Sequence, residues 1–332
     1  MKKGLRLAVL ALALLGAVSA TAQENNTTIE LQARISENIA TPSNDALSGL
    51  NADYLNLAVS GSINDKLSVS WRQRFNKAIT AENPLRATDM LYIAYQPDAN
   101  WSFTFGQQTL SIGGWEYDSA PINIYFASEF WNNIACYQIG AKTAYTTDKG
   151  NNTFLLQVNR SPFDTPATNL LGYDLMWYGN FGPYSAAHSI NIYEYRPNQY
   201  IYYLALGNRL TFGDITLELD AMCRTTGESE IFDSVSVMGG LKWKTGDKLN
   251  LLLRATYDNN QSTIQPFDSM VFAGTELTQI GGGVEYFPFN SRDLRLHAIW
   301  SAVSGTNSNP DGVLTDGAGM LKVGATWYLK IK

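Results

Sequence analysis

The ten residues Leu67-Ser68-Val69-Ser70-Trp71-Arg72-Gln73-Arg74-Phe75-Asn76 decide how the whole chain is read. Leu67, Val69, Trp71 and Phe75 share one parity, and Ser68, Ser70, Arg72, Arg74 and Asn76 share the other. Successive side chains of a β-strand point to opposite faces, so this stretch is a strand with one greasy face and one wet face. The turn-forming triplet Asn64-Asp65-Lys66 precedes it, and the segment before that, near 53–63, also alternates. The two therefore read as antiparallel neighbours joined by a tight turn.

Working outward, the same pattern places strands near residues 28–38, 53–63, 67–77, 88–96, 101–112, 136–147, 152–161 and 171–181. It continues near 188–197, 200–213, 215–225, 234–244, 248–258, 277–287, 294–304 and 319–331, which makes sixteen. Tight connections fall at Asn64-Asp65-Lys66, Pro97-Asp98-Ala99-Asn100, Asp148-Lys149-Gly150-Asn151, Gly213-Asp214 and Thr245-Gly246-Asp247, with broader turns near 182–187 and 288–293. Longer ones, near 39–52, 78–87, 113–135, 162–170, 226–233, 259–276 and 305–318, alternate with them. Only the connection at Asn198-Gln199 sits on the long side and is short. Short turns at one end and long loops at the other mark a transmembrane barrel, whose turns are periplasmic and whose loops are external.

Aromatic residues fit that geometry. Tyr95, Trp101, Tyr145, Phe154, Phe212, Trp243, Tyr286 and Trp327 all have outward parity beside short turns, where amphipathic rings form an interfacial girdle. A soluble β-sandwich core is the competing account, but a sandwich seldom needs so many strands of this length. In the last strand Leu321, Val323, Ala325, Trp327, Leu329 and Ile331 alternate with Lys322, Gly324, Thr326, Tyr328 and Lys330, although the chain ends on Lys332 rather than on an aromatic. The expected fold is all-β: a transmembrane antiparallel β-barrel of about sixteen strands.

Composition agrees. Charged residues make up 16 % of the chain, against about 25 % in an ordinary globular protein, with 18 Tyr, 14 Phe and 8 Trp. Lys2, Lys3 and Arg6, the apolar run Leu7 to Val18 and Ala20-Thr21-Ala22 have the form of a cleaved secretory signal peptide over residues 1–22, leaving 23–332 as one barrel domain. Without that segment 21 basic side chains face 30 acidic ones, a net of −9. Nucleic acid is thereby excluded as a partner, because no basic excess exists to displace counterions from phosphates. Cys136 and Cys223 fall on strands five apart around the ring, too far for a disulfide, and read as small apolar residues.

Several stretches resemble the phosphate-selective porin O/P family: Asp53-Tyr54-Leu55-Asn56-Leu57, Trp71-Arg72-Gln73-Arg74 and Gly113-Gly114-Trp115-Glu116-Tyr117-Asp118. Tyr125-Phe126-Ala127-Ser128-Glu129-Phe130-Trp131-Asn132-Asn133 and Leu175-Met176-Trp177-Tyr178-Gly179-Asn180 continue the likeness. The resemblance implies a sixteen-stranded outer-membrane porin, a homotrimer, with one loop folded into the lumen. The family's phosphate-specific basic clusters have no residue-by-residue match here, so phosphate selectivity is not carried over. The expected activity is passive diffusion of small hydrophilic solutes, with outer-membrane lipid as the surroundings and no cofactor.

Inward parity assigns Arg34, Arg72, Arg74, Lys142, Arg209, Arg224, Arg254 and Arg295 to the lumen, against Glu30, Asp174, Glu218, Asp220 and Glu285. Basic rings favour anions in pores; the plainer account pairs each cation with a nearby carboxylate. Arg72 and Arg74 on the third strand lie diametrically opposite Arg224 on the eleventh. The loop near 113–135 holds Trp115, Tyr117, Tyr125, Phe126, Phe130 and Trp131 together with Glu116, Asp118 and Glu129, more apolar surface than a solvated loop carries. It is expected to fold against the wall as a constriction, with its carboxylates facing wall arginines; a lid over the mouth or a subunit contact is the alternative. Enzymatic function has little support. His188 and His297 lack metal-spacing partners, His297 has lumen parity with no motif around it, and Gly281-Gly282-Gly283 has no Gly-Lys-Ser/Thr to complete a phosphate loop. An outer-membrane barrel enzyme and a soluble secreted all-β binding protein are the rival classes.

Overall fold

The computed structural model describes residues 27–42, 47–79, 85–165, 167–227, 230–262 and 270–332. The proposed signal peptide lies outside the described residues. Among the described residues the first eight strands are β1 (Thr27–Thr41), β2 (Gly49–Asn64), β3 (Leu67–Arg74), β4 (Thr88–Tyr95), β5 (Trp101–Thr109), β6 (Tyr137–Thr146), β7 (Asn152–Arg160) and β8 (Leu171–Phe181). The second eight are β9 (Tyr184–Arg196), β10 (Gln199–Phe212), β11 (Ile215–Thr225), β12 (Ser234–Lys244), β13 (Leu249–Asn260), β14 (Thr275–Tyr286), β15 (Leu294–Thr306) and β16 (Gly319–Lys330). Each pairs antiparallel with its sequence neighbours and β1 pairs with β16, so the sheet closes. Closure leaves no edge, and it lets the wall satisfy its backbone polar groups where no water can.

Every expected strand is present, with ends displaced by a few residues; β9, for instance, starts at Tyr184 rather than near 188. The short turns are built by side chains that stand in for backbone acceptors. Asn64 Oδ1 takes the N–H groups of Lys66 and Leu67, both at 2.9 Å. Asp98 Oδ1 takes those of Asn100 and Trp101 at 2.9 and 2.8 Å. The awkward connection after β9 is a genuine two-residue turn, Pro197-Asn198, with Asn198 at φ 60°, a left-handed conformation that asparagine tolerates. The β9–β10 pairing shifts register immediately after it, between Gln199 and Tyr200.

The outer face carries the apolar surface. Leu91, Ile93, Phe105, Leu156, Leu175, Leu219 and Trp300 are all exposed, which suits contact with lipid. Of the expected girdle, Tyr95, Trp101, Phe154, Phe212, Trp243 and Tyr286 are exposed beside the short turns, while Tyr145 and Trp327 are half-buried. Trp101 and Tyr145 face each other across β5 and β6 with ring centroids 4.9 Å apart. Cys136 and Cys223 are both free thiols.

The packed core is inside the barrel. Loop residues Leu110, Ile112, Phe130 and Ile134 are buried against Tyr193, Ile201, Tyr203, Ala205 and Met222 of β9, β10 and β11. Each fully buried side chain of this size contributes roughly 1.5–3 kcal/mol. That apolar inner wall is what draws the β5–β6 connection into the lumen.

Candidate functional site

The connection from β5 to β6 contains two short helices, α1 (Trp115–Asp118) and α2 (Glu129–Asn133), with a single 3-10 turn at Pro121–Asn123 between them. It descends along the wall by close backbone contact. The N–H of Ser111 donates to Gln157 Oε1 at 2.7 Å, that of Gly113 to Ser189 Oγ at 2.7 Å, and that of Gly114 to the Ala187 carbonyl at 3.0 Å. Gly113 has to be glycine: a Cβ there would lie 2.7 Å from the Ala187 oxygen and 2.9 Å from the Ala205 oxygen.

Beyond α1 the chain crosses the lumen. Asp118 accepts the Tyr178 hydroxyl of β8 at 2.6 Å. The turn at Pro121–Asn123 then reaches the far wall, where Arg34 of β1 donates to the Ile122 and Ile124 carbonyls at 2.9 and 2.8 Å. Arg295 of β15 donates to the Ile122 carbonyl at 3.0 Å and to Asn123 Oδ1 at 2.8 Å. Tyr125 donates to Glu285 of β14 at 2.9 Å. Burial, reinforced by Glu285, pushes its phenol well above the usual range, so it remains a donor.

On the return, Glu116 takes both the N–H and the hydroxyl of Ser128 at 2.9 and 2.5 Å and forms an ion pair with Arg254 of β13. The carboxylates of Asp220 and Asp258 accept the N–H groups of Glu116 and Glu129, each at 2.7 Å. The Arg209 guanidinium lies 3.6 Å above the Trp115 ring, and Arg224 lies 5.3 Å from the Phe130 ring. Five of the eight inward basic residues, Arg34, Arg209, Arg224, Arg254 and Arg295, therefore touch the loop. Among the described residues only Glu116 of its carboxylates meets an arginine; Glu129 accepts from the Asn133 and Asn309 amides at 3.0 and 3.1 Å.

Among the described residues, no hydrogen bond, ion pair or ring contact ties residues 113–133 to β2–β7, but Trp115 packs with Leu155 of β7 and Ala144 of β6. The sector of the lumen before those strands holds the other three basic residues. Arg72 and Arg74 both point their Nε at one carboxylate, Asp89, at 3.1 and 2.7 Å. Lys142 of β6 is in no ion pair among the described residues. Guanidiniums and phenols alternate along this edge: Arg295 and Arg34 over Tyr125, Arg34 and Arg74 over Tyr54, Arg74 and Arg72 over Tyr137, all between 4.9 and 5.9 Å. The four cations of this run have three carboxylate partners, Glu285, Asp53 and Asp89.

Asp53 and Asp89 escape simple alternation, which puts them on the outer face with Leu55 and Leu91. Register shifts between Arg34 and Ile35 and between Arg72 and Gln73 leave each of these aspartates opposite no partner residue. A β-bulge of this kind re-aims a side chain, and both carboxylates turn inward to arginine. The signal was present in the sequence: a charged residue at a lipid-facing parity has to be turned away from lipid. Of the acidic residues assigned to the lumen, Glu218 pairs with Arg209 at 2.6 Å and Asp174 accepts from Asn159, Asn191 and Tyr193. His297 lies beside Ser36 at 3.0 Å, but Asp53 holds the serine hydroxyl, and the far ring nitrogen of His297 has no partner.

Residues 31–177 match the family model for phosphate-selective porin O and P. No curated protein matches the chain in sequence. Among solved structures, outer-membrane expressed OmpT of Vibrio cholerae aligns at 14 % identity and TM-score 0.64, covering 93 % of this chain and 100 % of that one. An in-vitro folded form of OmpT is described as a trimer; its figures are 14 %, 0.64, 92 % and 100 %. An anion-selective porin from Comamonas acidovorans aligns at 11 % identity and TM-score 0.64, covering 92 % and 99 %.

Proposed function

We propose that the chain, whose residues 31–177 match the family model for phosphate-selective porin O and P, is an outer-membrane porin and that its passage for small solutes favours anions. The observation that carries this reading is the sharing of Asp89 by Arg72 and Arg74, which leaves one positive charge over in the sector the loop leaves free. Lys142 stands on the same side, with the carboxylates of Asp174 and Asp118 as its electrostatic neighbours. Permeating anions enter a region whose fixed charge is positive although the protein as a whole is acidic, and low-dielectric walls strengthen that field. The loop over residues 113–135 is the constriction in this reading, with Trp115, Glu116, Asp118, Glu129 and Trp131 shaping it. Arg209, Arg224, Arg254 and Arg295 then hold the loop, Arg34 both holds it and edges the passage, and Arg72, Arg74 and Lys142 act on solutes.

No catalysis belongs to this reading. A serine–histidine–aspartate relay needs the carboxylate on the histidine's far nitrogen, whereas Asp53 sits on Ser36. The assembly proposed, by likeness to a solved neighbour described as a trimer, is a homotrimer. Reversal potential across a planar bilayer in a KCl gradient tests the selectivity. Anion preference that weakens in Lys142→Ala supports the reading, and cation preference in the wild type overturns it.

A further inference from the structure

The connection from β15 to β16 reaches over the long-loop mouth. Its base is a closed hairpin: the N–H of Val303 donates to the Ala318 carbonyl at 2.8 Å and that of Gly317 to the Val303 carbonyl at 3.0 Å. The N–H of Gly305 donates to Asp316 Oδ1 at 2.9 Å. Gly305 and Gly317, one on each side of this base, hold φ at 108° and 71°, a region that strains any residue with a Cβ. Between them residues 307–315 form an arm braced by its own asparagines. Asn307 Oδ1 accepts the N–H of Asn309, and Asn309 Oδ1 accepts that of Asp311, both at 3.0 Å.

Little holds the arm down. None of residues 307–315 is buried, and beneath them lies a cavity of about 870 Å3, bounded by α2 and by the inner wall of β1 and β14–β16. Among the described residues, three hydrogen bonds tie the arm to the rest of the barrel. The N–H of Ser308 donates to Thr275 Oγ1 at 3.1 Å, and the Asn309 amide donates to Glu129 Oε1 at 3.1 Å and Asn133 Oδ1 at 3.2 Å, both on α2. The loop over residues 113–135 is the opposite case, with Ile112, Phe130 and Ile134 buried against the wall. Segments with few buried apolar contacts and solvated hydrogen bonds are the first to open. We propose that the arm of residues 307–315 is a lid, swinging about its two glycines between a docked position on α2 and a lifted one that opens the cavity to the outside. The loop beneath it stays seated. Asn309 is the latch: docked, it supplies one of the two amide donors on the Glu129 carboxylate, and lifted, it leaves that place to water.

Thiol labelling tests the lid without recourse to conductance. Lys322 lines the cavity from β16, so Lys322→Cys, in the full-length barrel with Cys136 and Cys223 replaced by serine and alanine, puts one thiol beneath the arm. A maleimide on a polymer too bulky to pass the docked arm reports how often it lifts. Asn309→Asp sets two carboxylates against each other and should speed labelling roughly tenfold, the factor for losing one hydrogen bond to a charged group. Adding Glu129→Gln restores a donor–acceptor pair and should return the rate to that of the parent. Residues 113–135 should resist protease equally in all three proteins. Labelling that Asn309→Asp does not speed, a faster rate that Glu129→Gln does not reverse, or cleavage of residues 113–135 in Asn309→Asp overturns the proposal.

Discussion

Asp89→Asn should make the channel more anion-preferring, and the size of the change can be worked out. Among the described residues Asp89 is the sole ion-pair partner of both Arg72 and Arg74, at 3.1 and 2.7 Å, so its removal adds one net positive charge beside the proposed passage. A permeating ion at about 6 Å in aqueous dielectric gains roughly 0.7 kcal/mol from that charge. Screening over a Debye length of about 10 Å at 0.1 M salt reduces this to about 0.4 kcal/mol. Anions are then enriched about twofold and cations depleted as much, a roughly fourfold change in permeability ratio. Arg74→Gln removes one positive charge and should move the ratio by a similar factor the other way. Reversal potentials across planar bilayers read both, and at 1 M salt, where the Debye length is about 3 Å, both shifts should nearly vanish. The reasoning fails if the two variants move the ratio in the same direction, or if Asp89→Asn favours cations. A gel shift on heating confirms that each variant is a folded barrel.

Gly113→Val should expel the loop from its seat, because no shift of a flexible side chain can clear the Ala187 and Ala205 backbone oxygens. A larger, noisier conductance and protease cleavage between residues 113 and 135 are expected. Arg254→Met leaves Glu116 without its ion-pair partner inside the lumen, which costs about 3–5 kcal/mol of loop docking and shows as frequent conductance substates. Asn198→Gly should leave the heat-modified gel shift unchanged, whereas Asn198→Val, forced to φ 60°, costs about 1–2 kcal/mol and lowers the unfolding midpoint in urea. Trp243→Ala removes an exposed interfacial ring and should slow insertion into lipid vesicles without altering unitary conductance.

The barrel was legible because its signal is repeated sixteen times, and a period-2 pattern such as Leu67 to Asn76 has one structural meaning in lipid. The lumen assignment of the basic residues followed from the same parity. What alternation could not supply was the division of labour among them. Arg254 and Arg72 look alike along the sequence, yet one grips Glu116 of the loop and the other shares Asp89 with Arg74. That difference depends on where the loop lies, and the loop is placed by Tyr193, Ile201 and Tyr203, apolar residues on the wet face of their strands. Asp53 and Asp89 were hidden for a different reason: a bulge is a single extra residue, and it breaks the count on which parity depends. The short turn at Pro197-Asn198 was expected one residue later, at Asn198-Gln199, and the expectation of a long external loop made it look wrong.

The central claim is a conducting passage on the β2–β6 side of the loop, and thiol modification inside the open channel tests it most directly. In a background where Cys136 and Cys223 are replaced by serine and alanine, Lys142→Cys places one thiol on that side and Gly240→Cys places one on the opposite wall. An anionic thiol reagent should lower the unitary conductance of the Lys142→Cys channel sharply and leave the Gly240→Cys channel little changed. A chain that forms no channels, or a Lys142→Cys channel indifferent to the reagent while Gly240→Cys is blocked, would contradict the account.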